Sequence, residues 1–90
     1  MNIFLITFEI FPPSLLVQNE IIENAIKMFE FWARPTSTVW LIKTHNTKEV
    51  VINHLRAYAG PTDRILVMRV NSEWISINLP VEVINWLKAN

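Results

Sequence analysis

Few side chains in this 90-residue sequence combine the type and the setting needed for chemistry. Glu9 closes an apolar run, 3–8, that alternates like a strand. Strand ends often carry metal-binding or acid–base carboxylates; the competing reading is a solvated strand-end charge. Arg34 precedes Pro35, which forces it into an extended conformation. Its guanidinium is either a fork for phosphate or carboxylate or a charge that solvates the edge of a turn. His45 and His54 lie nine residues apart with no matched carboxylate pattern, a poor basis for zinc. His54 falls on the apolar side of a helical pattern and reads as a packing histidine. Glu20, Glu23 and Lys27 take the solvated side of another helix, where Glu23 and Lys27 form a favourable i, i+4 pair. Asp63 and Glu73 flank a second apolar run, 65–70, and neither has a sequence-evident partner for a two-acid site with Glu9.

Composition narrows the classes. Lysine plus arginine equals aspartate plus glutamate, eight of each, whereas nucleic-acid binders carry a basic excess to answer the phosphates. There is no cysteine, which removes disulfides and thiolate metal sites and is compatible with a reducing cytoplasm. The first eleven residues are apolar but lack the basic region and small-residue cleavage site of a signal peptide. No uncharged apolar run reaches the roughly 20 residues that span a bilayer. The expectation is one soluble, cytoplasmic domain covering 1–90. Half of the residues are apolar and four are tryptophan, a surplus for so short a chain that points to a homo-oligomer.

The positioning elements follow from periodicity. The spacing predicts strands at 2–9, 31–35, 38–43 and 64–70, and helices near 16–29 and 47–58. The centre is the stretch 31–44, read as a hairpin turning at Pro35 to Ser37, with Trp32 and Trp40 able to meet across it. Phe11, ahead of two prolines, is expected to plug the core. Ser14 or Asn19 is expected to cap the first helix, and Asn46 the second, with Glu49 completing a capping box. Arg69 is expected near an edge. A short fifth strand is expected at 74–78, then a terminal helix over 79–88 capped by Asn78 with Pro80 in its first turn. The order β-α-β-β-α-β is the split, ferredoxin-like arrangement of an α+β domain, here with a C-terminal strand and helix added.

With these residues laid out, the chain resembles the small stand-alone (SinR-like) relatives of the CRISPR-associated adaptation endoribonuclease family. The run Phe4-Leu5-Ile6-Thr7-Phe8-Glu9-Ile10 is similar to the family's apolar strand ending in Tyr-Asp. Trp32-Ala33-Arg34-Pro35 with Thr38-Val39-Trp40-Leu41-Ile42 is similar to its aromatic hairpin, and Asn78-Leu79-Pro80 with Trp86-Leu87-Lys88 to its ending. The resemblance implies a ferredoxin-like homodimer joined through the C-terminal segment, for which 74–78 is the candidate. It also implies a strand-end acid, one per subunit, associated with a divalent metal and phosphodiester hydrolysis. Only Glu9 matches that position. The chain departs from the pattern with Glu9 for Asp, Phe8 for Tyr and Arg34 for His, and catalytic geometry tolerates little displacement of a carboxylate.

Three functions follow. The leading one is a dimeric interaction or scaffold protein without robust catalysis, binding a protein partner or a nucleic-acid end and needing no cofactor. The second is a metal-dependent endonuclease in which paired Glu9 carboxylates hold Mg²⁺ or Mn²⁺ and Arg34, Lys43 and Arg64 contact the RNA or DNA backbone. The third is an mRNA-cleaving toxin of the VapD type, built on the same fold logic.

Overall fold

The first strand, β1 (Asn2–Glu9), is apolar on both faces, and the fold covers both. The computed structural model describes residues 1–12 and 15–89. Along the chain β1 is followed by α1 (Leu16–Lys27), β2 (Phe31–Thr36), β3 (Val39–Thr44), α2 (Lys48–Arg56), β4 (Arg64–Val70) and α3 (Val81–Lys88). The strands form one antiparallel sheet in the order β2-β3-β1-β4. The first and fourth strands therefore lie side by side as expected, with Ile3 opposite Val70 and Glu9 opposite Arg64. This is an α+β fold of four antiparallel strands and three helices, compatible with a small ferredoxin-like domain.

One face of the sheet carries α1 and α2. Phe4 and Ile6 of β1, with Trp40 and Ile42 of β3, pack against Ile22, Ala25 and Ile26 of α1 and Val51 and Leu55 of α2. His54 packs here too: its Nε2 donates to the Ala25 carbonyl at 2.8 Å, and its ring meets Phe29 edge-on. The opposite face is covered in part by the 71–80 connector and α3. Ile3, Ala33 and Leu41 are buried on that side together with Val83 of α3. α3 thus covers part of this face within one chain, while Leu66, Met68, Ile75 and Ile77 stay exposed.

The hairpin differs from expectation in its turn. Pro35 lies inside β2, an edge strand where its missing N–H is tolerated, and the loop is Ser37-Thr38. The register shifts between Ala33 and Thr36, and this bulge, rather than a left-handed residue, accommodates the connection. Trp32 and Trp40 do meet, with ring centroids 5.6 Å apart.

Several sequence expectations are corrected. Thr47, not Asn46, caps α2: its side chain accepts from Val50 N, while Glu49 turns to Lys48 at 2.9 Å. That hydrogen bond from Lys48 holds the Glu49 carboxyl below its ordinary pKa. Asn19 lies inside α1, and Ser14 falls outside the described residues. The expected strand at 74–78 does not form, because no neighbouring edge pairs with it. Asn78 does not cap α3; it takes a left-handed φ of 60°, which asparagine tolerates, and Pro80 occupies the cap position. Phe11 is no core plug: it is 42% exposed beneath the Arg64 guanidinium, 5.1 Å away. Arg69 lies on the edge strand β4, as expected.

Ile6 sits at the middle of the central strand with no accessible surface. Ile6→Ala is expected to lower the unfolding free energy by about 2–5 kcal/mol, read from urea denaturation. A loss under about 1 kcal/mol would mean that the core is not packed around β1.

Candidate functional site

Glu9 and Arg64 come together. They are cross-strand partners where β1 ends and β4 begins, and Arg64 Nη1 donates to Glu9 Oε1 at 3.3 Å. Both side chains are largely open to solvent, so the pair is screened and contributes little to stability. A groove of about 460 Å³ surrounds them, lined also by Thr7, Phe8, Thr38 and Leu66. Thr7 Oγ1 donates to the Thr38 carbonyl at 3.1 Å and ties the hairpin loop to this end of β1.

Arg34 and Lys43 are placed elsewhere and have other partners. Arg34 makes an ion pair with Glu23 of α1 at 2.9 Å, lies over the Trp40 ring at 4.7 Å and donates to the Ser37 carbonyl at 2.8 Å. It joins the hairpin to α1. Lys43 pairs with Ile3, at the end of β1 opposite to Glu9. Its side chain is buried: Nζ donates to the Trp86 carbonyl at 2.6 Å and sits 4.2 Å from the Trp86 ring centroid. It supplies a cation to the last turn of α3, where free carbonyls carry the negative end of the helix dipole. The structure thus brings together Glu9 and Arg64 but not Arg34 or Lys43. Among the described residues no three His, Cys, Asp or Glu side chains gather as a metal site.

Sequence reasoning missed Asp63, which organises this end of the molecule. Its Oδ2 accepts from Gly60 N at 2.7 Å and from Gln18 Nε2 at 2.9 Å, and its Oδ1 from Phe11 N at 3.4 Å. Gln18 also donates to the Tyr58 carbonyl at 2.9 Å, and Thr62 Oγ1 donates to the Phe11 carbonyl at 3.1 Å. One carboxylate therefore fastens the segment after Glu9, the first turns of α1 and the loop before Arg64. The Gly60-to-Asp63 contact was open to a sequence argument, since an aspartate readily accepts from backbone N–H groups of its own turn. The contacts to Phe11 and Gln18 cross 52 and 45 residues and leave no local signal.

Asp63→Ala is expected to lower the unfolding free energy by about 1–3 kcal/mol and to speed amide exchange at Gly60 and Phe11. Unchanged exchange would show that the carboxylate does not hold the two segments. Lys43 gives a pH prediction. Covering the amine strips away water and lowers its pKa from the ordinary 10.5. The folded chain then releases this proton before the unfolded chain does. As pH rises toward 10.5 the unfolded state holds more protons, so the Lys43 contribution to stability rises. The stability difference between wild type and Lys43→Met should move in favour of wild type over that window. A flat or falling difference would count against the burial of the amine.

Comparison of the chain with protein-family models, with characterised proteins and with solved structures finds no match.

Proposed function

We propose that this chain is a small ferredoxin-like interaction module that works as a homodimer, a cytoplasmic scaffold of the CRISPR-adaptation-like type without robust catalysis. The observation that carries this reading is an apolar strip along the uncovered side of the molecule. Leu66 and Met68 on the edge strand β4 are 51% and 52% exposed, and Ile75 and Ile77 on the connector are 96% and 84% exposed. Residues 74–78 alternate like a strand and have no strand to pair with. β4 in turn has one edge without a neighbour. Unpaired backbone beside exposed aliphatic side chains favours self-association, and a two-fold dimer lets each copy supply what the other lacks. The dimer would then present its remaining surface to a protein partner or a nucleic-acid end.

Light scattering is expected to give the dimer mass at micromolar concentration. Ile75→Glu/Ile77→Glu is expected to give monomer with an unchanged circular dichroism spectrum, since both side chains lie outside the core. A wild-type monomer, or a dimer indifferent to the double substitution, would reject the interface.

A nuclease reading keeps one supporting observation, the placement of Glu9 and Arg64 in a common open groove. In that reading a second copy would contribute another Glu9, and Mg²⁺ or Mn²⁺ would activate water between them. Incubation with single- and double-stranded RNA and DNA, with each metal, tests it. No cleavage is expected, and Glu9→Gln should change stability by less than about 1 kcal/mol. Metal-dependent cleavage that Glu9→Gln abolishes would replace the scaffold reading with the nuclease or the toxin one.

A further inference from the structure

The connector and α3 do not close completely on the sheet. Between them lies a cleft of about 230 Å³. Leu5 and Leu41 line it from the sheet, Trp74, Ile75 and Leu79 from the connector, and Leu87 from α3. Protein interiors are close-packed, and voids larger than a water molecule are few. A buried apolar cavity of about 150 Å³ is enough to take up benzene. This cleft is half as large again, which fits two fused rings. Among the described residues, the one hydrogen bond made by a side chain within 71–80 is internal, from Glu73 N to Asn71 Oδ1 at 2.9 Å. None ties the connector to the sheet, so it can lift without leaving buried polar groups unpaired. The ammonium of Lys43 holds the far end of α3 while it does so.

The lining has one charged residue, Glu73, which has no ion-pair partner among the described residues. Among the described residues no cation lines the cleft. An organic acid placed here would meet a carboxylate, whereas an amine would find its counter-ion. We infer that the cleft binds a small arylalkylamine, a bicyclic aromatic body seated between Leu41 and Trp74 with its protonated amine directed to Glu73. Trp74, Ile75 and Leu79 of the connector line the cleft, and Ile77 does not. The lining comes from one chain, and it shares Ile75 with the surface proposed above for self-association.

The test uses the full chain and two probes of equal size and opposite charge, 2-(1-naphthyl)ethylamine and 1-naphthylacetate, followed by amide chemical shifts. The amine is expected to give saturable shifts centred on Leu5, Leu41 and Trp74 at millimolar concentration. It should bind about two- to fivefold more tightly than the acid, the range that one solvent-accessible ion pair supplies. Glu73→Gln should erase that preference while retaining binding. Leu79→Trp, which puts a larger side chain into the cleft from the connector, should abolish saturable binding of both probes. Shifts that never saturate, shifts centred on Leu66 and Met68, an acid that binds as well as the amine, or a preference that survives Glu73→Gln would each overturn the assignment.

Discussion

A strand that is apolar on both faces and sits second from one edge of a four-stranded sheet must be covered twice. β1 imposes that requirement, and the rest of the chain is arranged to meet it. Two helices satisfy one face with a well-packed core around Phe4, Ile6, Trp40 and Ile42. The other face falls to eight residues of helix and an irregular connector, which bury Ile3, Ala33 and Leu41 but leave the β4 side open. The exposed strip and the cleft both come from this unequal cover. A thinner second layer leaves apolar surface at its margin and space beneath it.

The same requirement accounts for the cations. Lys27, Arg34 and Lys43 each lie within 6 Å of an indole: Lys27 over Trp32 at 5.4 Å, Arg34 over Trp40 at 4.7 Å and Lys43 over Trp86 at 4.2 Å. Trp40 lies inside the first layer and Trp32 is partly exposed beside it, and each indole accepts a positive charge near its ring. Three of the eight basic side chains are thereby engaged within the fold. This bears on the electrostatics of any nucleic-acid encounter, because these charges are already partnered.

How much was legible in the sequence depends on how local the determining contact is. β1 and β4 were readable almost to the residue, because each is a short, largely apolar run rich in β-branched and aliphatic residues and too short for a helix. The helices were readable from their apolar spacing, but their ends were not. Asn46 and Thr47 are adjacent and both suited to capping, and the cap is Thr47, whose carbonyl accepts the first helical hydrogen bond from Val51 N at 3.1 Å and whose side chain accepts from Val50 N. Residues 74–78 have the composition of a strand and lack the neighbour that makes one, which no local pattern reports. Of the candidate site, the meeting of Glu9 with Arg64 follows once the strand register is known, although register was not part of the sequence reading. Lys43 was misplaced for a different reason. A lysine in an alternating strand looks like a surface charge, and only the docking of a helix from the far end of the chain buries it.

The central place of β1 also has a consequence for how the chain is made. Its two neighbours are β3, which ends at Thr44, and β4, which ends at Val70. During synthesis β1 therefore acquires its second partner only after α1, the β2–β3 hairpin and α2 have followed it. Until then two apolar faces and at least one bare edge are available to any other nascent chain nearby. Long-range pairing of this kind slows folding and lengthens exposure to aggregation. The β2–β3 hairpin and α1, which form in between, give β1 a first shelter. β1 is thus protected during synthesis first by the hairpin and α1, and only afterwards by β4.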